Sequence, residues 1–212
     1  MVDVALALEA EGFLLNRRST TLRSSSNRVD PRLNQVLLDA NGIVALLNMD
    51  CVRFRFEPDM LQEIIVSIGC RLVAFHPLCE PQLESRLDSA YHIGLTAFIT
   101  TLFLQVGRRR FQKYGLVGQH LKLAIEKGLE EEDNSVMLWL LFVGGISVLE
   151  GGDQAWLHSR IHHVAASLEL DSWDMLRQHL LQFPWIISLH DEPGKALWDA
   201  ARMSPQRELD VR

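Results

Sequence analysis

The sequence predicts an all-α fold, a single orthogonal bundle of about eight or nine helices, and three observations carry that expectation. Apolar residues recur at three- and four-residue intervals along most of the chain, the spacing that gives a helix one buried face. β-Branched residues never alternate with polar ones over a strand length. Helix-start and helix-stop pairs, Asp-Pro, Glu-Pro and His-Pro among them, punctuate the apolar runs. The chain has 212 residues, 48% of them apolar and 23% charged. It can therefore bury a sizeable core as one domain and is too apolar to stay disordered.

Residues 2–15 form a short apolar helix candidate carrying Val4, Ala5, Leu8, Phe13 and Leu15. A polar stretch over 16–29, with three consecutive serines, reads as a linker. Residues 1–29 are thus set apart from a helical domain over 30–205, with 206–212 as a tail. A short apolar helix on such a linker cannot easily reach its own domain's core, so it is expected to pack on a second copy in a homodimer.

Asp30 and Pro31 supply an N-cap and a first-turn proline. Leu33, Val36, Leu37, Ala40, Val44 and Leu47 then define one buried face. Glu57-Pro58 opens the next helix, with Leu61, Ile64, Ile65, Ile68, Leu72 and Phe75 on one side, and His76-Pro77 stops it. Pro81 is expected to start a third, running through Leu87, Ala90 and Tyr91 into an uncharged segment at 93–106. A basic loop and a helix near 121–128 follow. Asp133, Asn134 and Ser135 are expected to cap an apolar run at 136–149, with the acidic residues Glu130, Glu131, Glu132 and Asp133 complementing its N-terminal dipole from solvent. Asp153 is placed to cap a helix over 154–168 carrying Trp156, Ile161, Val164 and Leu168 inward. Asp171 and Ser172 are placed to cap one over 173–189, bent or broken by Pro184. Pro193 is expected to start the last helix, with Asp191 as its cap.

The formal net charge of −6 repels phosphate backbones, so direct DNA binding is not expected. Basic residues cluster at Arg17, Arg18, Arg23 and Arg28 and at Arg108, Arg109, Arg110 and Lys113. They read as a solvated linker and a helix end, with a nuclear import signal as the alternative. Three scattered cysteines, Cys51, Cys70 and Cys79, make neither a disulfide framework nor a C-x-x-C zinc site, which favours a reducing compartment. Acidic residues in the first turns argue against a signal peptide, and the uncharged runs at 93–106 and 136–149 are too short to span a bilayer. An intracellular location, nucleus or cytoplasm, with no membrane partner, is the expectation.

Between 138 and 198 the pattern becomes specific. Leu138-Trp139-Leu140-Leu141-Phe142-Val143-Gly144-Gly145 is followed by Trp156, Arg160, Leu168-Glu169-Leu170, Ser172-Trp173, Phe183-Pro184-Trp185, Asp191 and Leu197-Trp198. Upstream stand Gly94-Leu95, Ala97-Phe98-Ile99 and Thr100-Thr101. This pattern resembles the C-terminal half of the fungal-specific transcription factor regulatory domain, over roughly residues 30–205. Members of that family join a zinc binuclear cluster to a large helical region thought to bind metabolites or co-regulators. The cluster needs six cysteine thiolates, which this chain lacks. The resemblance therefore implies a regulatory module that binds an apolar small molecule or a partner protein and has no DNA-reading cluster of its own. The alternative is a small cofactor-independent enzyme, a cyclase or isomerase of fungal secondary metabolism, on the same scaffold.

Candidate site residues follow from chemistry. Gly144 and Gly145 remove side-chain bulk beside Trp139, Trp156 and Trp185, so a ligand pocket is expected there, helped by carbonyls near Leu180 that a Pro184 bend would leave without donors. Five tryptophans in adjoining helices otherwise read as shared core packing. His158 and His162, four apart on one helix with His163 adjacent, are the candidate catalytic group. A metalloprotease motif would need glutamate where Ser159 stands, so the histidines read as a solvent-facing stripe and no metal is expected. Arg160 is placed either to pair a buried carboxylate or to recognise an acidic ligand. Ser188, His190 and Asp191 read as a helix start rather than a catalytic triad.

Overall fold

The computed structural model of the protein describes residues 28–49, 58–80, 83–102, 114–149 and 151–203. Among them are eight α-helices and no strand: α1 Pro31–Leu47, α2 Pro58–Phe75, α3 Arg86–Leu102, α4 Gly115–Lys127, α5 Asn134–Ser147, α6 Gln154–Ser167, α7 Trp173–Leu180 and α8 Ile187–Met203. Single 3-10 turns, Glu131–Asp133 and Gly151–Asp153, lead into α5 and α6. The expected helix at 2–15, the linker over 16–27, the basic group at 108–113 and the tail at 206–212 lie outside the described residues. No helix among the described residues is long and apolar enough to cross a membrane.

Helix α5 organises the bundle. Eleven of its 14 residues are buried, as expected of a helix that is apolar on every side. It packs against α3, α4, α6, α7 and α8, while α1 and α2 pair with each other and close on α3. The α3–α5 approach is close because Gly94 faces Trp139. A Cβ there would stand 2.4 Å from Trp139 Cζ3 and 2.7 Å from Leu140 Cδ2. Trp139 cannot retreat: it is wholly buried, stacks on Phe183 at 5.5 Å, and donates its Nε1–H to the Pro184 carbonyl at 3.3 Å.

Several helix boundaries obey the expected signals. Pro31 sits at the start of α1, and Asp30 accepts the Arg32 amide at 2.8 Å. α2 starts at Pro58 and ends at Phe75 ahead of His76-Pro77. Ser172 Oγ accepts the Met175 amide at the start of α7.

Other boundaries are corrected. α3 begins at Arg86, not at Pro81, because Ser85 Oγ accepts the Asp88 amide at 3.1 Å and caps it there. Asp133 and Asp153 stand at their N-cap positions without making a capping bond. Asp153 instead pairs with Lys122 at 2.9 Å, and Asp133 with Arg28 at 3.0 Å. The acidic run is therefore not a free solvent patch: Arg28 also reaches Glu130 and Glu132, and Asp133 is only 3% exposed. Burial raises the Asp133 carboxyl above its ordinary pKa, against the lowering influence of Arg28. The helix expected over 173–189 is broken around Pro184 as expected, ending at Leu180, but the last helix already starts at Ile187, so Pro193 lies inside α8 instead of opening it.

The close contact at Gly94 sets a stability test. Gly94→Ala should lower unfolding free energy by about 1–3 kcal/mol through overpacking against Trp139. Gly69→Ala on α2, where a Cβ would meet nothing within 4 Å, should raise it by up to about 1 kcal/mol. Urea unfolding of the two variants measures both, and equal responses would contradict the packing described.

Candidate functional site

The break between α7 and α8 is the most heavily hydrogen-bonded part of the molecule. Asn48, just past α1, clamps it across a long sequence separation: its Nδ2 donates to the Trp185 carbonyl and its Oδ1 accepts the Ile187 amide, each at 2.8 Å. Asp191 accepts from Trp185 Nε1 at 2.8 Å and from Arg177 Nε at 2.7 Å. His190 Nδ1 accepts the Ile186 amide at 2.9 Å, which fixes the neutral tautomer with its proton on Nε2. That proton points to Thr101 Oγ1 at 2.9 Å, and Thr101 donates onward to the Phe98 carbonyl at 2.6 Å. The Leu180 carbonyl, expected to be free, accepts the Phe183 amide at 3.0 Å. Asn48, Asp191, His190 and Thr101 are all engaged, so Asp191 and His190 hold the chain in place, and Asp191 is neither a helix cap nor part of a triad.

The pocket expected at Trp139, Gly144, Gly145, Trp156 and Trp185 is not where these residues sit. A Cβ on Gly144 would stand 2.6 Å from Leu121 Cδ2, and one on Gly145 would stand 2.7 Å from Leu197 Cδ2 and 2.8 Å from Leu157 Cδ2. The two glycines therefore serve helix–helix contact, and leucines from α4, α6 and α8 fill the space they open. Trp139 and Trp185 are fully buried. Phe142 joins Trp185 to Trp173, each at 6.4 Å between ring centres, so part of the expected tryptophan cluster exists as core packing. Trp156 lies apart under Lys122, at 5.1 Å, and Trp198 under Arg202, at 5.7 Å.

The three candidate histidines of α6 do not converge on one centre. His162 lines a cavity of about 190 Å³ formed with Ala165, Leu170, Trp198 and Arg202. The cation there is already engaged, since Arg202 lies over Trp198 and donates to the Asp171 carbonyl. His163 lines a second cavity, and burial holds His158 below the usual imidazole pKa. Among the described residues no group of three His, Cys, Asp or Glu side chains is arranged to hold a metal ion.

The second cavity, of about 150 Å³, lies between α4, α5 and α6. Ile125, Leu129, Met137, Leu141 and Val164 give it an apolar wall, and Asn134, Arg160 and His163 supply the polar groups. Arg160 is part-buried, and its Nε is enclosed with no hydrogen-bond partner. Among the described residues no carboxylate pairs with it. An enclosed donor without an acceptor costs about 1–3 kcal/mol, and more when charged. Asn41, His76 and Gln182 each carry one similar atom, but only Arg160 combines a permanent charge with an adjoining cavity. Of the two roles open to Arg160 in the sequence, pairing with a buried carboxylate of its own chain is not realised among the described residues.

Comparison with protein-family models, with curated proteins and with solved structures returns no match. The described residues thus form an all-α bundle with a small, part-open cavity whose lining is both polar and apolar and includes Arg160.

The His190 knot generates a pH prediction. Burial lowers the imidazole pKa to about 4, from an ordinary 6.5. Between those values the unfolded chain binds a proton that the folded chain refuses, so folding stability is full above pH 6.5 and falls toward pH 4. The loss attributable to His190 reaches about 3 kcal/mol. His190→Gln, whose amide can accept from Ile186 and donate to Thr101, should reduce the difference between urea unfolding at pH 7.5 and at pH 4.5. The shallower slope, not the absolute stability, is the diagnostic, because buried His92 adds to the wild-type slope in the same direction.

Proposed function

We propose that the protein is a ligand-binding regulatory module, similar in role to the effector half of a zinc-cluster regulator, that takes a small apolar molecule into the α4–α5–α6 cavity. One observation carries the reading: Arg160 lines the cavity, and among the described residues its side chain has no acceptor. A binding site commonly presents an apolar floor and one or two polar groups that become satisfied only when ligand arrives. This cavity joins apolar side chains from three helices to the polar groups of Asn134, Arg160 and His163.

The location suits a regulatory output. The cavity touches the C-terminal end of α4, the start of α5 and the middle of α6. Through α5, which contacts most of the bundle, a change in α4–α6 spacing would reach α3 and α8. With a net charge of −6, the module would reach DNA through a partner protein and not by itself. The sequence pattern of 138–198, although no family model matches it, points to the same role. An isomerase or cyclase reading would make His163 the acid–base group, but Arg160 and the apolar wall answer the needs of binding without it.

Binding in the cavity has a direct test. Leu129 lines it and is part-exposed, so Leu129→Trp should fill the space without disturbing the core. A compound that binds the wild type at one site should raise its stability by about 2.7 kcal/mol at a hundred times its Kd. That stabilisation should vanish in Leu129→Trp while the far-UV helical signal is kept. Equal stabilisation of the variant would place the ligand elsewhere. Tight, salt-resistant binding of the purified chain to a DNA duplex would contradict the proposed division of labour.

A further inference from the structure

We infer that the ligand of this cavity is an aryl or short alkyl carboxylate, held by its carboxylate on Arg160 and by its apolar body against Met137, Leu141 and Val164. The inference rests on the ligand-binding reading above and adds the chemical class of the ligand.

Charge comes first. The Arg160 guanidinium stays protonated at any relevant pH, and it is a planar fork of donors suited to two oxygens of one anion. The nearby acids do not supply that anion. Glu130, Glu132 and Asp133, which lead into α5, all converge on Arg28. That pairing offsets part of the negative charge beside Asn134. Asn134 is the first residue of α5, so the positive end of that helix's backbone dipole faces the same space and favours the same sign of ligand.

Size and polarity come next. A cavity of about 150 Å³ is comparable to engineered apolar cavities that admit benzene. A ligand body of roughly six to eight heavy atoms is therefore accommodated. Beside its polar groups, the lining offers the side chains of Ile125, Leu141 and Val164 and the Met137 thioether to such a body. A nucleotide or sugar phosphate has more heavy atoms than that space admits, whereas an aromatic ring or a short alkyl chain does not.

The contrast with the other cavity sharpens the assignment. Arg202 borders the cavity at His162, but its guanidinium lies over Trp198 and donates to the Asp171 carbonyl. A cation already satisfied gains little from an incoming carboxylate. Arg160 has no such arrangement among the described residues.

The test pairs acids with uncharged counterparts of the same shape on the full chain: benzoate with benzamide, phenylacetate with phenylacetamide, and hexanoate with hexanamide, by isothermal titration calorimetry. At least one acid should bind at one site and at least tenfold more tightly than its amide. Arg160→Met should bring that acid down to the level of the amide, while Arg160→Lys should retain part of the preference. Arg160→Met should also keep or raise the melting temperature of the ligand-free protein, since it removes an unpaired donor; a clear drop would show a structural role and overturn the assignment. If acid and amide bind equally and Leu129→Trp abolishes both, the carboxylate inference falls while the ligand-binding reading stands. If no acid or amide binds the wild type, both fall.

Discussion

A helix that is apolar all the way round must be enclosed by others, and α5 imposes that requirement on the whole domain. Its fourteen-residue segment has no polar face to turn toward water, so α3, α4, α6, α7 and α8 are all drawn to it. Enclosure on so many sides demands close approach, and glycines provide it: Gly94 on the facing helix admits Trp139, and Gly144 and Gly145 admit leucines from α4, α6 and α8. The two adjacent glycines cost helix propensity, about 1 kcal/mol each relative to alanine. That cost is offset where Leu121, Leu157 and Leu197 gain contacts that a Cβ would have blocked. Glycines that suggest an open pocket in one dimension therefore create a closed contact in three.

The second constraint is the disposal of backbone polar groups where the chain turns inside the bundle. The segment between α7 and α8 runs against Trp139, Phe142 and Thr101, and Phe183, Trp185 and Ile186 in it are buried. Its exposed amides and carbonyls would be costly there without partners. Asn48, His190 and the Trp139 indole supply those partners. This division explains why His190 is held neutral: its Nδ1 is committed as an acceptor, and protonation would remove the bond to Ile186 as well as bury a charge.

Fold class, helix number and the burial of α5 were legible in the sequence because periodicity and local capping are short-range signals. α1, α2 and α7 start where Asp30-Pro31, Glu57-Pro58 and Ser172 place them. The misplaced starts fail for physical reasons. Pro81 is a permitted first-turn residue, but Ser85 offers a better cap four residues later. Pro193 looks like a helix opener only if Asp191 is free to cap, and Asp191 is taken by Trp185 and Arg177. The Asn48 clamp spans well over a hundred residues and carries no local pattern at all. Of the site, Arg160 and His163 stood out by type and position, but the cavity they line depends on how α4 meets α5 and α6, which no spacing encodes.

Two buried polar arrangements in the same bundle follow opposite rules. Around His190 each donor meets an acceptor, and the result is a rigid joint that resists change and titrates far from neutrality. Arg160, a permanent charge, has no acceptor among the described residues and borders a small cavity. A joint needs satisfied groups, because an open valence there would destabilise the fold with no compensation. Under the proposed reading Arg160 follows the reverse rule, its guanidinium gaining an acceptor only when a ligand occupies the cavity. Arg28 makes that arrangement tolerable by drawing Glu130, Glu132 and Asp133 to itself.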